Sequence, residues 1–190
     1  MIKIPIEISA RHLHISKEDL DILFGKDYKL TKKVSLTQTK EFAANETVEV
    51  QSGKNKLKKV RITGPLRSKT QLEISKTDAF NLGIDIPFGH SEKAKGGGGI
   101  ILIGKKGKLT MNSGSIIPLR HLHLNLEEAK MLDLKNGQKV SVEVEGERAV
   151  IFHNVLVRVD KDYILSMHLD TDEGNAAGIK FKGEGKILCS

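Results

Sequence analysis

Four of the chain's seven histidines fall in two His-x-His pairs, His12/His14 and His121/His123, each inside an identical Arg-His-Leu-His run. In an extended segment residues i and i+2 project from one face, so each pair offers two imidazole nitrogens to a single cation. Glu73 and His168 share a further regularity with His14 and His123. Each stands two residues before a side chain suited to cap a helix: Ser75, Asp170, Ser16 and Asn125 respectively. Helix starts carry unsatisfied N–H groups and partial positive charge, so four such turns gathered around cations would make a pocket for phosphate and carboxylate groups.

Five imidazoles and one carboxylate suit Zn²⁺, and six donors are too many for one tetrahedral ion. The pattern predicts two ions, each with open positions, as catalytic sites require. Iron, cobalt or nickel would accept the same imidazoles. Arg67 follows the Gly64-Pro65 turn and precedes Glu73 by six residues. A guanidinium there can grip a phosphate bidentately, the alternative being a solvated surface arginine.

Other chemistry is thinner. Residues 99–106 approach the spacing of a phosphate-binding loop, but Lys106 stands where a magnesium-holding Ser or Thr is needed and four β-forming residues replace the cradle. A strand is expected instead. The chain has no Gly-x-Ser-x-Gly elbow, and its sole cysteine, the penultimate Cys189, is a poor nucleophile candidate. His90 and His153 lie outside the paired pattern, His153 in a strand-like run as a structural histidine.

The two Arg-His-Leu-His copies lie 109 positions apart, which duplication of one unit explains. Around them, period-two alternation at 47–51, 58–62, 140–144 and 155–159 reads as half-buried strands. Turns are expected at Ser52-Gly53, Asn136-Gly137 and Glu145-Gly146, and a hairpin tip at Lys105-Lys106-Gly107 between 100–103 and 108–111. Many short strands at this spacing suggest barrels or sandwiches. The helices are short, with starts at the four capping residues and stops at Gly25, Gly83, Gly137 and Gly178. The glycine run at 96–99 reads as a loop.

The 190 residues suffice for one large or two small domains, and no apolar run exceeds four residues, which excludes a transmembrane helix. The start of the chain has no secretory pattern and the lone cysteine fits a reducing, cytoplasmic setting. A net charge of +7 favours an anionic partner, while two Tyr, six Phe and no Trp supply few platforms for stacking single-stranded nucleic acid. Phosphate groups on small molecules fit better.

The segments Ser9-Ala-Arg-His-Leu-His14, Gly64-Pro-Leu-Arg-Ser-Lys-Thr-Gln-Leu-Glu73, Arg120-His-Leu-His123 and Met167-His-Leu-Asp-Thr-Asp-Glu173 resemble, in that order, the signature segments of the phosphate propanoyltransferase family of phosphotransacylases. The resemblance implies a mainly β fold with short capping helices: two closed β-barrel domains related by internal duplication, with the metal site between them. One barrel would use residues 11–118 and the other residues 1–10 with 119–190. It implies one zinc ion on His12, His14 and Glu73 and another on His121, His123 and His168. Arg67 would bind phosphate or acyl phosphate, and the adenosine part of coenzyme A would lie near Ser9, Arg61 and Asn175. A homodimer is implied as well. Members housed in bacterial microcompartments carry an extension before the first strand, and this chain starts at that strand, so the cytoplasm outside such compartments is expected.

The activity implied is reversible transfer of a short acyl group, propanoyl or acetyl, between coenzyme A and inorganic phosphate. Two rivals remain at this level. One is a binuclear zinc hydrolase, with water as the acceptor. The other is a metal-stabilised barrel that binds nucleic acid through its lysines.

Overall fold

The computed structural model describes residues 2–89 and 99–188. His90, Cys189 and residues 96–98 of the glycine run lie outside them. Two compact units emerge, one of Met1–Ala10 with Leu119–Ser190, the other of Arg11–Pro118. Strands and helices are numbered in chain order.

In the first unit six strands close into a barrel, β1 (Ile2–Ile8), β14 (Ser166–Leu169), β11 (His121–Leu124), β13 (Val150–Val159), β12 (Lys139–Val144) and β15 (Lys182–Leu188), in that order around the ring. Closure leaves no unpaired edge. Alternation decides what enters the barrel: Leu122 and Leu124 join Ile4, Ile6, Val142, Phe152, Val157 and Met167 in the core, which puts His121 and His123 on the opposite face of β11.

The second unit was expected to close too. Its described residues instead form a curled nine-stranded sheet in the order β7 (Phe88–Gly89), β10 (Ser115–Pro118), β6 (Gln71–Glu73), β2 (His12–His14), β5 (Asn55–Gly64), β4 (Phe42–Ser52), β8 (Ile100–Ile103), β9 (Lys108–Met111), with β3 (Lys32–Ser35) also paired to β4. Among the described residues no ladder joins β9 to β7. Helix α1 (Lys17–Phe24) lies against β9, and the β8–β9 turn is tied to it by Lys106 N donating to Leu23 O at 2.8 Å. Gly104 permits that approach, since a Cβ there would lie 2.4 Å from the Leu23 carbonyl oxygen. Leu13 enters this unit's core with Ile62, Leu72 and Ile74, leaving His12 and His14 on the other face of β2.

All four helix starts stand where the capping pattern puts them. Ser16 caps α1, Ser75 caps α2 (Lys76–Leu82), Asn125 caps α3 (Leu126–Met131) and Asp170 caps α4 (Thr171–Ala176), the last two with complete capping boxes. Gly25 and Gly83 end α1 and α2, and Gly178 follows the Ala177 cap of α4. Gly137 does not end α3. That helix stops at Leu132, because Leu132 and Leu134 both pack on the barrel core and the chain must turn between them, with Asp133 taking the left-handed conformation. Gly137 serves the turn before β12, its N–H donating to Val157 O at 2.8 Å.

Candidate metal centres

Each His-x-His strand is paired antiparallel with the strand that carries a third donor. In the second unit β2 pairs with β6, placing His12 opposite Glu73, and in the first β11 pairs with β14, placing His121 opposite His168. Opposed residues on an antiparallel ladder share a face. Two clusters result, His12/His14/Glu73 and His121/His123/His168, each with one donor atom per residue and all three within 4.8 Å of one another.

In the first cluster His12 Nε2 and His14 Nε2 are 3.2 Å apart, with Glu73 Oε2 at 3.7 Å from His12 and Oε1 at 4.0 Å from His14. Donors sharing a tetrahedral zinc at its usual bond lengths are about 3.3 Å apart, so little movement separates this arrangement from coordination. The buried amide of Gln71 donates to Glu73 Oε1 at 2.6 Å and fixes the carboxylate.

In the second cluster His121 Nδ1 lies 2.7 Å from Leu119 O. A carbonyl only accepts, so Nδ1 carries the hydrogen and Nε2 is the nitrogen with the lone pair. His123 is 6% exposed, and neither ring nitrogen has a hydrogen-bond partner. A neutral imidazole always has one N–H and one lone pair to satisfy, and leaving buried polar atoms unpaired costs about 1–3 kcal/mol. A bound cation relieves that cost at the lone pair, so the residues present fit a metal. Tyr163 stacks on the His123 ring with centroids 4.1 Å apart, Ser166 Oγ lies 3.0 Å from His168 Nε2, and Glu7 Oε2 lies 3.9 Å from it.

Burial sets the charge state of the inner rings. It pushes the His14 imidazole far below the ordinary histidine range, and the charges of His12 and Arg67 push the same way. His123 is lowered by burial first, then by His121, His168 and Arg158. Both rings are therefore neutral at physiological pH and ready to donate a lone pair.

Arg67 thus lies within the electrostatic reach of His14. Its backbone N–H donates to Ile15 O at 3.0 Å and its Nη2 is 3.1 Å from Glu41 Oε1. Arg61 stands opposite His12 on the β2–β5 ladder, with Nη1 donating to Ala44 O at 2.6 Å. Ser9 follows β1, its N–H donating to Leu169 O at 2.8 Å, and Asn175 is exposed on α4. His153 belongs to neither cluster and lies 2.7 Å from Ser141 Oγ.

Sequence reasoning passed over Gln71, Ser166, Glu7 and Tyr163. The first two carried a signal, since each stands two residues before a donor and so shares its face. Glu7 and Tyr163 reach the second cluster only through tertiary pairing.

The family described as phosphate propanoyltransferase matches residues 5–180. The chain belongs to that family. A phosphate propanoyltransferase of Lachnoclostridium phytofermentans is 45% identical over 177 residues, 93% of this chain and 83% of the relative. One from Citrobacter freundii is 46% identical over 176 residues, 92% and 83% of the two chains, and one from Thermotoga maritima 45% over 173 residues, 90% and 82%. As a phosphate propanoyltransferase family member the chain is an enzyme of the acyltransferase class. Every donor in the two clusters lies within the span matched by the phosphate propanoyltransferase family. Among the described residues no helix is long and apolar enough to cross a membrane.

Proposed function

We propose that this chain transfers a short acyl group, propanoyl or acetyl, reversibly between coenzyme A and inorganic phosphate. A phosphate oxygen attacks the thioester carbonyl, the C–O bond forms, the C–S bond breaks and the sulfur leaves as thiolate. The observation that carries the reading is the pair of three-donor clusters built on equivalent ladders within a phosphate propanoyltransferase chain.

His12, His14 and Glu73 would hold one zinc ion and His121, His123 and His168 another. Bound there, zinc supplies Lewis acidity toward carbonyl, phosphate oxygen or thiolate sulfur. The remaining work belongs to the chain. Neutral His14 and His123 keep their lone pairs available, and Gln71 holds Glu73 in one orientation. The Arg67 guanidinium matches a phosphate in shape and charge, and its tether to Ile15 fixes where the side chain starts. When phosphate arrives, Arg67 exchanges its Glu41 partner for the ligand. Ser9, Arg61 and Asn175 would contact the adenosine end of coenzyme A. The net charge of +7 favours the approach of both polyanions.

Thiol release from propanoyl-CoA, followed with and without inorganic phosphate, tests the reading. Release is expected only with phosphate present. Equal release in its absence would make water the acceptor and replace this function with hydrolysis.

A further inference from the structure

Arg11 and Arg120, which open the two Arg-His-Leu-His runs, have no part in the chemistry above, yet each makes the same contact in its own unit. Arg11 Nη1 is ion-paired with Asp78 Oδ1, and Arg120 Nε lies 2.7 Å from Glu173 Oε1. Asp78 and Glu173 stand five residues after Glu73 and His168, each at the third position of the helix into which the third donor leads. Their backbone N–H groups donate to the caps, Asp78 N to Ser75 Oγ at 3.2 Å and Glu173 N to Asp170 Oδ1 at 2.9 Å. In α4 the second Glu173 oxygen accepts from Asp170 N at 3.1 Å. One carboxylate thus joins the residue before His121 to the turn two residues after His168. Arg120 is held further by Nη1 donating to His153 O at 3.3 Å and by the Phe152 ring, 5.2 Å from its guanidinium carbon.

The third donors need such a tie. Glu73 is the last residue of the three-residue β6, and His168 is the last but one of β14. Short strand ends open locally at little cost, whereas a metal site must hold its donors to within roughly 0.5 Å. Partly exposed ion pairs contribute little to stability, so stability does not account for the recurrence of this pair at the same place in both units.

We propose that Arg11 and Arg120 are positioning residues, each clamping the third donor of its unit, Glu73 or His168, against the His-x-His strand so that the three donor atoms keep coordination spacing. This rests on the metal-binding reading of the clusters. Each clamp acts on its own cluster only.

Zinc-loaded protein and its Arg11→Ala and Arg120→Ala variants are dialysed against a graded chelator series, and the zinc kept per chain is measured by elemental analysis. Each variant should lose one ion at a chelator strength about 10- to 100-fold lower than the unsubstituted protein and keep the other. In a Glu73→Gln background, expected to retain only the second ion, Arg120→Ala should loosen that ion and Arg11→Ala should not. Asp78→Asn and Glu173→Gln keep the helix caps while removing the charge. They should loosen the same ions, and combining each with its arginine variant should add nothing further. Cobalt-substituted samples should show altered absorption only at the affected site. An unsubstituted protein that binds two ions while the folded variants retain them equally would overturn the clamp alone. So would either arginine variant loosening both ions alike. Failure of the unsubstituted protein to bind zinc would overturn the metal-binding reading and the clamp with it.

Discussion

His121 stands directly opposite His168 across the antiparallel β11–β14 ladder, the relation that His12 bears to Glu73 across β2–β6. The two ladders therefore deliver the same geometry with different chemistry, an imidazole at one and a carboxylate at the other. A divalent ion on two imidazoles and a carboxylate keeps less net charge than one on three imidazoles. With a divalent ion held in each, the His121/His123/His168 cluster would therefore be the more electrophilic of the two.

Replacing Glu73 by Gln removes the only anionic donor and leaves the shape of the side chain. Metal content measured by elemental analysis should fall from two ions per chain to one, with the circular dichroism spectrum unchanged. Retention of both ions would take Glu73 out of the donor set.

Arg67→Ala should raise KM for phosphate by about tenfold or more and leave zinc content as it was, because a guanidinium can offer a phosphate charge-assisted hydrogen bonds and does not coordinate metal. Arg67→Lys should fall between, since it restores charge without the fork. Steady-state kinetics at varied phosphate decide this, and an unchanged KM would remove Arg67 from the phosphate site.

Stability of the metal-free protein should depend on pH through His14 and His123. Both rings are held neutral in the fold well below their ordinary value of 6.5. Below that pH the unfolded chain binds protons that the folded chain refuses, so stability falls as pH falls, by about 1.4 kcal/mol per pH unit for each ring. Above 6.5 neither state is protonated and the dependence from these rings disappears. Denaturant midpoints between pH 5 and 8 would read the effect. A flat profile below that threshold would show the rings are not buried neutral.

Gly104→Ala should destabilise the second unit by about 1–3 kcal/mol, because the added methyl would meet the Leu23 carbonyl oxygen at 2.4 Å. Chemical denaturation measures the loss. Zinc binding at His121, His123 and His168, which belong to the other unit, should be untouched.

The His-x-His halves of the two clusters and the helix caps were readable because they are local facts: i and i+2 share a strand face, and a capping side chain acts on its own first turn. The same logic would have found Gln71 beside Glu73 and Ser166 beside His168. Pairings between distant strands left no such mark. Glu7 meets His168 only because β1 runs parallel to β14, and Asp78 and Glu173 meet Arg11 and Arg120 only after each ladder has formed. Gly137 misled because glycine serves turns of every kind, and the end of α3 is decided by where Leu132 and Leu134 bury. Among the described residues of the second unit no ladder joins β9 to β7, and alternation within a strand does not reveal whether a sheet closes.

The most direct test combines metal analysis and phosphate-dependent thiol release from propanoyl-CoA on one preparation, before and after exhaustive chelation and after zinc is returned. Two zinc ions per chain are predicted, with acyl transfer lost on chelation and regained with zinc. Full phosphate-dependent transfer by protein stripped of metal would contradict the account.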